Sequence, residues 1–243
     1  QTSAQSAQRA KGEGNQAEAD SLYARALSEL RRSMIYAPDK HHSYNMSAII
    51  YYNLGQVDSA VSLFERSYDL SRSEKAEEKA KVEKQFFGIL ERQGDKAYQD
   101  AENLKTSGDS TAAASQYLKA QDYYTRAYKM RPEDSRLNYM LGVCAYQLSQ
   151  FIPERKTELL NEAADRYQTV LKDNPADIDV LFNLCLLLRD VGRNEEAKEI
   201  GQRLVDLNPQ DGTFHDVLAR IMGDLGDKNA LITGVTFGRV LRS

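Results

Sequence analysis

Residues 174–211 read NPADIDVLFNLCLLLRDVGRNEEAKEIGQRLVDLNPQD, two helical patterns held between two prolines. Pro175 and Pro209 lie 34 residues apart, in Asn174-Pro175-Ala176-Asp177 and Asn208-Pro209-Gln210-Asp211. Proline cannot continue a helix and presets the turn that follows one. Between them a first helix is predicted over about 178–191, with Leu184, Cys185, Leu188 and Val191 on one face and Gly192 as its end. Asn194 is placed to cap a second helix. Glu195 and Glu196 fall in its first turn, where the helix dipole favours acids. Ala197 is the small residue expected where the two helices cross, and Leu204 and Leu207 close the unit.

The same proline register recurs upstream in Ala37-Pro38-Asp39-Lys40 and Arg131-Pro132-Glu133-Asp134. After Pro38 comes a second unit, 41–72. Tyr44, Ala48, Tyr51 and Leu54 form a stripe, Gly55 breaks it, Asp58 is placed to cap, and Ala60, Phe64 and Ser67 follow at helical spacing. After Pro132 the first helix is regular (Leu141, Gly142, Ala145, Leu148). Its connection, Phe151-Ile152-Pro153-Glu154, is long, and the flanking prolines are 43 residues apart. Pro153 is expected at the first turn of an extended second helix carrying Ala163, Tyr167 and Val170.

Residues 73–93 read as an additional helix, with Ala76, Ala80, Phe87 and Leu90 on one stripe, Val82, Phe86 and Ile89 beside it, and Glu77 paired with Lys81. Residues 7–46, shifted by 94, meet identical residues at Ala7, Lys11, Gly14, Ala19, Ser21, Tyr23, Ala26, Arg32, Pro38 and Met46, which points to internal duplication. Both copies predict a long second helix, about 16–36 and 110–130. The expected organisation is a sub-stack over 1–72, the helix 73–93, a sub-stack over 95–226 and a divergent tail 227–243. The last helix, 212–225, presents Phe214, Val217, Leu218, Ile221 and Leu225. The apolar stretch 230–241 after it reads as a divergent cap or the start of something further.

Leu141-Gly142, Tyr51, Ala60-x-x-x-Phe64 and the four in-register prolines together resemble the tetratricopeptide repeat family, whose unit is 34 residues long. The resemblance covers most of residues 5–226 and implies an all-α, right-handed solenoid of about six helix pairs plus one extra helix. It also implies a concave groove lined by the first helices of the pairs. Carried onto matching positions, the groove residues are Asn45, Ile49, Tyr52 and Asn53, then Tyr139, Val143, Tyr146 and Gln147, then Phe182, Leu186, Arg189 and Asp190. Each set shares one helix face. That face differs from the packing stripe, since residues 184 and 186 lie about 200° apart. Such a second stripe either packs on the adjacent repeat or remains open for a partner. The family's basic clamp for a C-terminal carboxylate is not expected here: Arg136 and Arg189 are present without an inward lysine series.

Composition narrows the remaining chemistry. Hydrophobic residues make up 41% and charged residues 28%, which fits a folded globular chain rather than a disordered one. Net charge is −4 with both signs mixed, so no basic face for nucleic acid is expected. No apolar run is long enough to span a membrane. Cys144 and Cys185 lie in apolar helical runs and read as buried hydrophobes rather than a disulfide or metal pair. His41, His42 and His215 read as helix-terminus residues rather than metal ligands. Gly12-Glu13-Gly14-Asn15-Gln16-Ala17 has the letters of a dinucleotide fingerprint but follows a helix, not a strand, and reads as a turn. No nucleophile, base and oxyanion-hole constellation is visible, so neither an enzyme nor a cofactor is expected. The chain opens at Gln1 with a polar run, which suits a segment behind a removed export signal, with a bacterial envelope location favoured slightly over a cytoplasmic one.

The expected function is therefore a scaffold that docks a peptide or helical segment of another protein, with Tyr52, Tyr139, Tyr146 and Phe182 as anchors. The alternatives are an assembly module using the convex face or tail, and a regulatory domain of a larger enzyme or sensor.

Overall fold

The computed structural model describes residues 3–227. These form eleven α-helices: α1 (Ser3–Gly12), α2 (Gln16–Tyr36), α3 (His41–Asn53), α4 (Val57–Ser71), α5 (Ala76–Ser107), α6 (Ser110–Met130), α7 (Ser135–Ser149), α8 (Lys156–Asp173), α9 (Ile178–Asp190), α10 (Asn194–Leu207) and α11 (Gly212–Asp224). The chain divides into two compact units, Gln1–Arg92 and Gln93–Ser243. In the first, α1 pairs with α2 and α3 with α4. The N-terminal half of α5 adds Phe86, whose ring lies 6.1 Å from Phe64 and 6.2 Å from Tyr68. In the second, α7 pairs with α8, α9 with α10, and α11 packs on α10. There the C-terminal half of α5 meets α6, with Tyr98 and Tyr117 5.8 Å apart.

Helix starts follow from the proline register. Two residues after Pro132, Pro175 and Pro209 stands an aspartate at the N-cap. Asp134 accepts from the Leu137 amide, Asp177 from Val180 and Asp211 from Thr213. Pro38 is followed instead by Asp39-Lys40, and Lys40 at the N-cap of α3 makes no side-chain cap bond. Asn15 and Asp109 cap α2 and α6, at equivalent places in the duplicated segments.

Five helix ends, those of α1, α3, α5, α9 and α11, share one turn. Gly55 and Gly192 sit at φ +76° and +77°, a region open to glycine, and the next amide bonds back over the helix end (Gln56 to Tyr51 O, Arg193 to Leu188 O). The same backward bond recurs from Asn15, Asp109 and Asp227.

Apolar faces then fill the interior. In α9, Val180, Leu181, Leu184, Cys185, Leu187 and Leu188 are all buried. Truncating Leu184 to alanine would cost about 2–5 kcal/mol, because the close-packed surroundings relax only partly.

Several expectations are corrected. The helix expected over 73–93 runs on without a break as α5, because Gly94 is helical and buried rather than a terminator. On it Ala76 and Ala80 are exposed, and burial begins at Val82. Neither Asp58 nor Asn194 is an N-cap: Gln56 and Arg193 occupy those positions, without side-chain cap bonds. The glycine turns deliver the chain into the second helix earlier than the capping pattern suggests. Pro153 opens a 3₁₀ turn, Pro153–Arg155, from which α8 continues. Leu207 is exposed, while Leu204 is fully buried. Of the tail, residues 228–243, including the apolar stretch 230–241, lie outside the described residues.

Candidate functional site

The predicted groove residues lie on α3, α7 and α9, and the eleven from Asn45 to Arg189 are half-buried, with Asp190 exposed. Helical spacing put each set on one face. The side chains of Asn45, Tyr139, Tyr146, Phe182 and Arg189 then reach the next odd-numbered helix.

In the second unit, the Asn183 amide donates to the Tyr139 hydroxyl at 3.1 Å, and the Tyr139 ring lies 5.9 Å from Tyr167. The Tyr146 hydroxyl donates to Asp190 Oδ2 at 3.4 Å. Lys105 Nζ donates to Gln147 Oε1 at 2.9 Å, and the Phe182 ring lies 5.9 Å from the tilted ring of Phe214. Arg189 Nε donates to Asp224 Oδ2 at 2.7 Å. Val143 packs against the core, and Leu186 is half-buried. Burial pushes the Tyr139 and Tyr146 hydroxyls above the ordinary tyrosine value, and at Tyr146 the Asp190 carboxylate adds to the effect. The second stripe is thus largely a row of contacts between successive repeats. Tyr139 also borders a cleft of about 240 Å³ with Arg136, Val170 and Asp179.

Both inward arginines are already matched by carboxylates. Arg136 grips both oxygens of Asp95, at 2.7 and 2.9 Å, and Arg189 holds Asp224.

The first unit differs. Asn45 donates to Gln85 Oε1 at 2.9 Å, and the Asn53 carbonyl accepts from Lys11 Nζ at 2.8 Å. Ile49 and Tyr52 face a wider opening than Tyr139 does. They line a cleft of about 530 Å³ whose apolar floor also includes Phe64 and Ile89. Lys81, Lys84, Gln85, Gly88 and Arg92 of α5 complete its lining, with the Arg92 guanidinium 5.8 Å from the Tyr52 ring centroid. The α5 residues were missed from sequence because that helix was read only for its apolar stripes. Lys81, Lys84, Gly88 and Arg92 nevertheless recur at helical spacing, which was the available signal.

Among the described residues, no group of three or more His, Cys, Asp or Glu is placed to hold a metal. Cys144 and Cys185 are free and buried, and burial pushes both thiols up. Cys185 Sγ donates to the Ala197 carbonyl at 3.3 Å, at the crossing of α9 and α10. His215 Nε2 lies 2.8 Å from the Pro209 carbonyl, and the His41 and His42 rings are 6.5 Å apart, edge to face. Gly12 ends α1, and Glu13 and Gly14 form the turn to α2. No helix of the described residues is long and apolar enough to cross a membrane.

Comparison with known proteins agrees with this architecture. Three family models, each described as a tetratricopeptide repeat, match residues 41–74, 106–151 and 158–221. Among solved structures, MamA residues 41 to the end from Desulfovibrio magneticus RS-1 superposes with a TM-score of 0.51 at 22% identity, covering 80% of this chain and 94% of that one. MamA of MSR-1 gives 0.50 at 17% identity, covering 83% and 96%. At these identities the likeness is one of fold. No match was found among curated proteins. The proline register, the repeated glycine turns and the three family matches converge: the chain is a member of the tetratricopeptide repeat family.

Proposed function

We propose that the chain is a non-catalytic interaction scaffold that holds a segment of a protein partner against the inner faces of its first helices. The observation that carries this reading is the open cleft at Ile49 and Tyr52, about 530 Å³, whereas on the equivalent faces of the second unit Tyr139 and Tyr146 are bonded to the next repeat and the cleft at Tyr139 is about 240 Å³. A concave, mostly apolar site with a few polar groups around it suits a peptide or helical segment. In the second unit, Val143 and Leu186 offer apolar surface between residues already bonded to their neighbours, so a partner there meets a firm, preformed wall. The test is a paired pull-down from the source lysate with wild type, Ile49→Asp and Leu186→Asp, matched for helicity by circular dichroism. A protein kept by the wild type and lost by a folded variant identifies the ligand. Identical partner lists from all three baits refute groove binding.

Self-association is a second reading, favoured by Ile35 and Tyr36 at the end of α2, which are 72% and 88% exposed. Ile35→Ser/Tyr36→Ser should then lower the mass in solution, read by light scattering, while leaving groove binding intact.

A further inference from the structure

Three features of the first-unit cleft fit together. Its cations are unequal in their engagement. Lys81 is held by Glu77 at 3.0 Å and Glu78 at 2.9 Å, whereas among the described residues Lys84 and Arg92 have no carboxylate partner. This sets the cleft apart from the second unit, where the inward Arg136 and Arg189 are both neutralised.

The two cations are also spaced. Lys84 and Arg92 are eight residues apart on α5, so their stems leave the helix about 12 Å apart along its axis. An extended peptide covers that distance in about four residues.

Gly88 lies between them in the lining, inside a helix and away from any positive-φ position. A Cβ there would meet only the Arg92 guanidinium, at 3.8 Å, an ordinary contact. Glycine weakens a helix interior relative to alanine, and packing gives no return for it here. Its effect is to leave the cleft floor open to close approach by a ligand.

Building on the scaffold reading above, we infer that this cleft takes an acidic peptide segment, with one aliphatic or aromatic side chain between two carboxylates about four residues apart. The apolar side chain enters over Gly88 between Ile49 and Ile89, and the carboxylates meet Lys84 and Arg92. Charge complementarity selects the segment and apolar burial retains it.

The test is selection of a random-peptide library displayed on phage against the full chain. The peptides are fused through their C-termini, so no free terminal carboxylate is offered. The expected result is enrichment of acidic pairs flanking Phe, Leu or Ile. Lys84→Glu/Arg92→Glu should weaken the selected peptides about tenfold or more, while Arg72→Glu/Lys75→Glu, outside the cleft, leaves them unchanged. Gly88→Ala should weaken them severalfold while its melting temperature holds or rises. Selected peptides without acidic bias, lost on Ile49→Asp but indifferent to Lys84→Glu/Arg92→Glu, overturn the acidic-ligand inference and leave the scaffold reading standing. Peptides indifferent to Ile49→Asp and Leu186→Asp, or no enrichment at all, overturn both. A single-stranded oligonucleotide that displaces every selected peptide from the cleft also overturns the inference.

Discussion

The ring of Tyr124 occupies the space where Gly94 would carry a side chain: a Cβ built on Gly94 lies 2.6 Å from the Tyr124 ring. The glycine therefore lets the middle of α5 approach α6, and Tyr124 uses the approach to donate a hydrogen bond to Asp95 Oδ1 at 2.7 Å. Gly142 stands in the same relation to Tyr167, at 2.8 Å. Gly94→Ala and Gly142→Ala should each destabilise the fold by about 1–3 kcal/mol through overpacking. Gly88→Ala, with open space around it, should stabilise by about 0.5–1 kcal/mol. Urea denaturation of the three variants checks the opposite signs.

The duplicated segments diverge at one buried hydroxyl. Tyr117 donates to Glu102, whereas Tyr23, the matching residue 94 positions earlier, has a buried hydroxyl without a partner. The position matching Glu102 is Gln8, which is exposed. Removing a bonded hydroxyl costs stability, and removing an orphaned one does not. Tyr117→Phe and Tyr124→Phe should cost about 1–2 kcal/mol each. Tyr23→Phe should be neutral or stabilising in the same denaturation series.

Alkaline pH offers a separate handle on the second unit. Burial holds the Tyr117, Tyr124 and Tyr167 hydroxyls above the ordinary tyrosine value, with Glu102 and Asp95 reinforcing the first two. Their folded values thus exceed an unfolded value near 10, and the protonated form favours the folded state. Stability should be full below about pH 10 and fall as pH rises beyond it. Tyrosinate absorbance followed alongside circular dichroism should show these hydroxyls ionising together with loss of helix. Free titration of every tyrosine with helicity intact would contradict this.

Capping predicts a further asymmetry. Asp177→Ala removes the bond to the Val180 amide and should cost about 1 kcal/mol, whereas Lys40→Asp supplies α3 with the cap it lacks and should add about 0.5–1 kcal/mol. Thermal melts of both variants test the pair.

Fold and site were legible to different depths. Proline and glycine mark turns by local chemistry, so the second helices expected at about 16–36 and 110–130 appear as Gln16–Tyr36 and Ser110–Met130. Gly94 was not legible, because a glycine that ends a helix and one that makes room for a ring look alike in sequence. Only the placement of Tyr124, thirty residues on, tells them apart. The groove set shows the same limit. Periodicity gave the face of Tyr139, Tyr146 and Phe182, but their partners Asn183, Asp190 and Phe214 belong to other helices, and no local pattern announces them. Lys84 and Arg92 were hidden differently: exposed charges on a long helix read as solvated until Ile49 and Tyr52 are seen opposite them.

Both cysteines of the chain fall in the second unit, and both are sealed in its interior with their thiols pushed toward the unreactive form. A thiol reagent in solution is therefore a clock for that unit alone. It marks the molecule only when the α7–α8 or α9–α10 layer opens, and it is blind to any excursion of residues 1–92.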